Sequence, residues 1–304
     1  MSISGVDNAL GGTVTVDEYG HVKFTPNANY YGTASFNYTI TDGSSTATGL
    51  VSVDVAPIND APVLVKPIHN FIVTQNAPDS VIQLTDYFED AENGDNLGYS
   101  LRASSSIYGG TSGRFYDAFS LDGTKALTLN YADDVVGNST VTVKVTDGNQ
   151  FVETAFTVSV IDVSDNGDTL LGGNGNDYLV GKQGNDTIGG GAGSDFLAGG
   201  AGSDRFVFNS PHEGVDTIAD FLVEDDTLVF SATGFGGNLA VGMVGSEMFT
   251  VGTAATDNQH RFIYNTSNGD LFYDSDGIGN EEQTKLASLK SNLALTHNNF
   301  YIES

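Results

Sequence analysis

The chain has 304 residues and a formal net charge of −28, from 39 Asp and Glu against 11 Lys and Arg. So acidic a surface excludes nucleic acid and anionic membrane as partners and resists compaction unless counter-ions bind; with no cysteine in the sequence, disulfides cannot supply the missing cohesion. No apolar run approaches the ~20 residues of a membrane-spanning helix, so no membrane insertion is expected, and richness in Gly, Thr, Asn and Asp with period-two apolar patterning points to an all-β protein.

Residues 12 to 55 alternate as half-buried strands do. Thr13-Val14-Thr15-Val16 and His21-Val22-Lys23-Phe24 flank a hairpin loop at Asp17-Glu18-Tyr19-Gly20, and residues 34 to 40 and 50 to 55 flank a turn at Asp42-Gly43-Ser44-Ser45. The run through Phe24-Thr25-Pro26-Asn27-Ala28-Asn29-Tyr30-Tyr31-Gly32 and Tyr38-Thr39-Ile40-Thr41-Asp42-Gly43, ending Pro57-Ile58-Asn59-Asp60-Ala61-Pro62, resembles the later half of the tandem cadherin-like repeat of large bacterial surface proteins. In that family more strands precede this point. The resemblance therefore implies a partial domain over residues 1–58 and a chain that is the C-terminal piece of a longer protein; a small complete four-stranded sheet is the alternative.

Residues 59–162 resemble a complete domain of the same kind, with strands expected at 97 to 101, 126 to 129, 139 to 145 and 152 to 160, which suits an Ig-like sandwich. Its acidic loop carries Asp90, Glu92 and Asp95, placed to converge with Asp60 of the linker and Asp147 of the turn Asp147-Gly148-Asn149-Gln150. Clustered hard oxygens suit Ca²⁺, and the cadherin-like resemblance implies an ion that stiffens the joint. The competing reading is that these are solvated turn acids.

Residues 163–208 repeat every nine residues. The clearest copies are Gly172-Gly173-Asn174-Gly175-Asn176-Asp177-Tyr178-Leu179-Val180, Gly190-Gly191-Ala192-Gly193-Ser194-Asp195-Phe196-Leu197-Ala198 and Gly199-Gly200-Ala201-Gly202-Ser203-Asp204-Arg205-Phe206-Val207; Gly181-Lys182-Gln183-Gly184-Asn185-Asp186-Thr187-Ile188-Gly189 keeps the phase with Lys182 in place of the second glycine, and a degenerate first copy ends Asp168-Thr169-Leu170. Each unit reads as half a turn of a flattened coil: a six-residue glycine-rich turn, then three strand residues with one side chain inward. Two units make a circuit of eighteen residues. Stacked circuits lie ~4.8 Å apart and Ca²⁺ takes oxygens at ~2.4 Å, so an ion between circuits reaches both.

The offset places Asp168 over Asp186, Asp186 over Asp204 and Asp177 over Asp195, giving three expected inter-turn sites. Their ligands are the side chains of Asp168, Asp177, Asp186, Asp195 and Asp204 with the backbone of Gly172, Gly173, Asn174, Gly175, Gly181, Gln183, Gly184, Gly190, Gly191, Ala192, Gly193, Gly199, Gly200, Ala201 and Gly202. The pattern resembles the repeats-in-toxin (RTX) parallel β-roll with its calcium-binding nonapeptide. A flexible linker would not place Leu170, Leu179, Ile188, Leu197 and Phe206 nine apart.

Residues 209–304 read as a β-rich cap. The segment from Phe206 through Asp216, Asp220 and Asp225-Asp226-Thr227-Leu228-Val229-Phe230 resembles the one that closes the roll in RTX exoproteins, with Asp216 and Asp220 as candidates for one more ion site. Residues 261 to 264 and 271 to 273 form an expected hairpin, and Asp274-Ser275-Asp276-Gly277 a polar turn rather than an EF-hand, because no helices flank it and its glycine comes too early. The last stretch, residues 293 to 304, resembles the uncleaved address of type I secretion. That fits an N-terminus, Met1-Ser2-Ile3-Ser4, without the features of a signal peptide.

No catalytic arrangement is visible: the five histidines are scattered, His212-Glu213 lacks the second zincin histidine, and there is no Gly-x-Ser-x-Gly elbow. The sequence thus implies a non-enzymatic, monomeric, calcium-folded part of a secreted or surface RTX adhesin, with a cell-surface or glycan partner. Two alternatives remain. One is the tail of a secreted exoenzyme; the other is a calcium-dependent carbohydrate-binding module acting through Tyr30-Tyr31 or Tyr108-Gly109-Gly110, an idea weakened by the absence of Trp.

Overall fold

The computed structural model describes residues 1–92, 94, 96–107, 113–236 and 239–304. Their secondary structure is almost entirely β. Contacts group the chain into two compact units, Met1–Val65 with Phe88–Tyr99 and Lys144–Val152, and Lys66–Tyr87 with Ser100–Val143 and Glu153–Ser304. These limits do not coincide with 58, 162 and 208, because roll strands and sandwich strands of the second unit share one sheet.

In the first unit Ser2–Leu10, Gly32–Thr41 and Thr46–Val55 form an antiparallel sheet with Gly32–Thr41 at its centre. Gly12–Val16 and Val22–Pro26 form the expected hairpin, in register from Gly12↔Pro26 to Val16↔Val22. Its loop is closed by Asp17, whose Oδ1 accepts from the amides of Tyr19 and His21. Ala34 and Phe36 are buried and Phe36 stacks on Phe24. Strand Ser2–Leu10 is an addition to the four strands expected from the sequence. Its register shifts between Ile3 and Gly5 and between Asp7 and Leu10 break the alternation that marks a strand.

The second unit begins with a sandwich-like layer in which Tyr116–Leu121, Ala126–Tyr131 and Ser80–Gln83 pair antiparallel. Leu127, Leu129, Val141, Val143, Phe156, Val158 and Val160 are buried around it. Phe71–Thr74 runs parallel to residues 158 to 161 and also touches the roll, where Val73 is the register partner of Tyr178.

The roll is two parallel sheets. On one, Thr169–Leu171, Thr187–Gly189, Arg205–Phe208, Thr227–Ser231 and Phe300–Glu303 lie side by side. On the other, Tyr178–Val180, Phe196–Ala198, Asp216–Ile218 and Thr284–Ser288 do so. Leu170↔Ile188↔Phe206 and Leu179↔Leu197 are register partners, so the circuit is eighteen residues long, as the spacing predicts. One apolar side chain per unit points inward, and Leu170, Leu179, Ile188, Leu197 and Phe206 form a single core with Ile218, Leu228, Phe230 and Phe300. The stack continues past the nonapeptides with Leu197↔Ile218 and Phe206↔Leu228. The expected hairpin over Phe262–Asn265 and Asp270–Tyr273 follows, and Phe230 packs against Phe208, Phe235, Phe262 and Phe300. The last strand, Phe300–Glu303, is built into the roll, with Phe300 and Ile302 buried.

Candidate metal centre

Each glycine-rich turn delivers its aspartate into the stack, and one carboxylate oxygen serves the coil above. The Oδ1 atom of Asp186 accepts from the Asp168 amide (2.7 Å), that of Asp195 from Asp177 (2.8 Å) and that of Asp204 from Asp186 (2.8 Å). The ladder runs on with Asp216 Oδ1 on the Asp195 amide (3.1 Å) and Asp226 Oδ1 on the Asp204 amide (3.0 Å). On the preceding side the Ile72 amide donates to Asp177 Oδ1. The stacking therefore has hydrogen bonds of its own.

The second oxygen separates two kinds of turn. In the outer ones it is satisfied within the turn: Asp168 Oδ2 accepts from the amide (3.0 Å) and hydroxyl (2.8 Å) of Ser164, Asp177 Oδ2 from the Gly173 amide (2.7 Å), and Asp226 Oδ2 from the Leu222 amide (2.7 Å). In the three central turns Oδ2 of Asp186, Asp195 and Asp204 is buried with no hydrogen-bond partner among the described residues. The backbone differs in step. Lys182, Gly191 and Gly200, the second residues of those turns, have φ of 74°, 83° and 95°, whereas Gly173 lies outside that left-handed region.

Glycine at the first position is required by close approach. A Cβ on Gly181 would collide with Asp186 Oδ2 and with the Gly199 carbonyl, one on Gly190 with Asp195 Oδ2, and one on Gly199 with Asp204 Oδ2. The free carboxylate oxygen of one turn and the carbonyl of the turn eighteen residues on thus converge beside Gly181.

Asp186, Asp195 and Asp204 are 0%, 2% and 1% exposed. Burial raises the pKa of each, and likewise of Asp177, Asp216 and Asp226. Like-charge repulsion adds to this, from Asp195 on Asp216 and from Asp177 on Asp195. A buried carboxylate that is neither protonated nor paired is costly, and a divalent cation removes that cost. The donors are all oxygen and no three acids converge among the described residues, so carboxylate and backbone carbonyls must share the ion, as hard cations such as Ca²⁺ accept. The residues fit the ion.

Of the further candidates, Asp216 is buried in the ladder, and Asp220 accepts from the amides of Gly199 and Gly200, both at 2.9 Å. At the junction in the first unit the Asp60 amide donates to Glu92 Oε2 (3.3 Å), Asn59 Nδ2 donates to Asp147 Oδ2 (2.7 Å), and Asp90 Oδ1 accepts from the Glu92 amide. Asp147 Oδ1 accepts from the amides of Asn149 and Gln150. These groups meet through turn hydrogen bonds rather than around one point. Asp95 and residues 108 to 112 lie outside the described residues. Asp274 closes a turn, accepting from the amides of Asp276 and Gly277.

Sequence reasoning missed Asp226 as a member of the ladder. The signal was present: Asp226-Thr227-Leu228 repeats the Asp168-Thr169-Leu170 and Asp186-Thr187-Ile188 pattern, but 22 residues after Asp204 rather than eighteen.

Fold and site together define a calcium-binding parallel β-roll in a chain that also carries Ig-like β structure. Residues 171–206 match the RTX calcium-binding nonapeptide repeat (4 copies), and residues 1–54 match the bacterial Ig domain. The repeats are accordingly RTX repeats, whose ion is calcium. No curated protein matches the chain. Among solved structures, human protocadherin-24 EC1-2 is similar at 18% identity and TM-score 0.36, covering 53% of this chain and 81% of that one. An endo-fucoidan hydrolase of glycoside hydrolase family 107 is similar at 18% identity and TM-score 0.27, covering 57% of this chain but 27% of the hydrolase. A subunit of the Azotobacter vinelandii mannuronan C5-epimerase is similar at 27% identity and TM-score 0.27, covering 45% and 78%. Likenesses this partial carry no weight for function.

Proposed function

We propose that the chain is the calcium-folded extracellular part of a type I-secreted RTX adhesin, with Ig-like domains as spacers ahead of a roll that condenses when calcium is met. The reading is carried by the buried, unpartnered Oδ2 atoms of Asp186, Asp195 and Asp204. Asp186 and the Gly199 carbonyl would hold one ion; Asp195 with the coil of Asp216, and Asp204 with the coil of Asp220 and Asp226, would hold others. Calcium supplies the positive charge that lets these carboxylates stay ionised while buried. At cytosolic calcium the acidic turns repel and the chain stays open, which suits export. Outside, at ~10⁻⁴ to 10⁻³ M, the affinity range of extracellular modules is reached and binding becomes folding energy. The Ig-domain match at residues 1–54 favours an adhesin over an exoenzyme tail.

Far-ultraviolet circular dichroism of the whole chain tests the switch. Chelator should remove part of the β signal and added calcium should restore it, and a spectrum indifferent to both refutes the proposal. Adhesion is tested separately by calcium-dependent retention of the labelled chain on cells, with absence of retention counting against that role alone.

A further inference from the structure

Lys182 stands where the neighbouring turns have Gly173, Gly191 and Gly200, and it adopts the left-handed φ of 74° that Gly191 and Gly200 share. A lysine in that conformation carries a steric penalty that glycine escapes. Its half-buried side chain crosses to the preceding coil, where the ammonium donates to the Val163 carbonyl at 2.8 Å. Val163 occupies the turn position that Gly181 and Gly199 hold in the following coils. In the next seam the free Asp186 Oδ2 and the Gly199 carbonyl of the following coil converge beside Gly181, two oxygens that only a cation reconciles. In the first seam an ammonium is already present, held on the Val163 carbonyl, and the carboxylate of that coil, Asp168, is already engaged by Ser164.

We propose that Lys182 is a built-in cation that closes the seam between residues 163 to 168 and 181 to 186 without calcium, so that the ions of the roll begin one coil later. The assignment rests on the calcium reading of the central turns. It replaces the expected Asp168/Asp186 ion with a covalently tethered charge.

The full chain at saturating calcium decides it, through hydrogen exchange at the amides of Asp168 and Thr187, both of which donate across this seam, and through the ion count by native mass spectrometry. Lys182→Met should speed exchange at these amides by at least about tenfold, equivalent to about 1.4 kcal/mol, with the ion count unchanged. Lys182→Arg, which keeps the charge, should exchange like the wild type. Lys182→Gly, which restores the glycine of the other turns, should take up one ion more. Wild-type exchange in the Met variant, or an unchanged count in the Gly variant, overturns the assignment. A wild type that takes up no calcium overturns the calcium reading instead, while the exchange comparison still decides the tether.

Discussion

Aspartates that close surface turns and aspartates inside the roll are the same residue in opposite circumstances. Asp42 and Asp147 are solvent-facing, and amide donors, from Ser44 and Ser45 to the one and from Gln150 and Asn149 to the other, hold their carboxyls below the usual range. Asp186 and Asp204 accept comparable amide bonds, yet burial dominates and moves them upward. A hydrogen-bonded carboxylate is therefore self-sufficient only where water also reaches it. Within the roll a second contrast appears, since Asp177 has both oxygens satisfied and Asp186, Asp195 and Asp204 have one.

The strongest way to break the first contrast is to remove calcium. In thermal unfolding, chelator should shift the transition of the roll and leave that of the first unit in place, because each ion contributes about 2.7 kcal/mol at a free concentration a hundredfold above its Kd. A common shift of both would mean that the two sets of aspartates respond alike.

Replacing single acids sharpens the second contrast. Asp186→Asn keeps an oxygen for the Asp168 amide but loses the charge facing the Gly199 carbonyl, so calorimetry should show at least about tenfold weaker calcium binding, near 1.4 kcal/mol. Asp177→Asn should change affinity far less, since its Oδ2 is engaged by Gly173. Equal losses would erase the distinction between open and self-satisfied turns.

The response to pH should differ in sign. For the metal-free roll, carboxyls with raised folded values bind more protons folded than unfolded, so their contribution is full below the unfolded value near 4 and is lost as pH rises through the raised values. The turn aspartates do the reverse, contributing above the unfolded value and losing it as pH falls through their lowered ones. Denaturant melts in chelator from pH 4 to 8 should thus weaken the roll while the first unit holds, and parallel slopes would contradict the assignment of shifts.

The smallest effect separates crowding from backbone preference. Gly43→Ala, at φ 94° with nothing near its Cβ, should cost about 1 to 2 kcal/mol from the left-handed backbone alone. Gly181→Ala should cost more, because its Cβ meets Asp186 Oδ2 and the Gly199 carbonyl. Melting temperatures in calcium compare the two.

Much of the roll was legible because a strict period gives equivalent residues equivalent places: Asp177 and Asp195, or Leu179 and Leu197, could be stacked from spacing alone. Which carboxylate oxygen stays open was not, because glycine permits both turn conformations and Gly173 and Gly191 look identical in sequence. Asp226 was hidden by a change of spacing, and Ser2–Leu10 by Gly5 and its register shifts. The contact of Phe71–Thr74 with Tyr178 joins segments a hundred residues apart, which no local pattern encodes.

The pairing of Phe300–Glu303 with Thr227–Ser231 has a kinetic consequence. Coils built on neighbours eighteen residues away close short loops and can zip up one after another, but this strand must return from far along the chain and meets a larger entropic barrier. Assembly should therefore end with a slow latching step, and until the latch engages Leu228 and Phe230 present a bare sheet margin on which two half-finished chains could stick together.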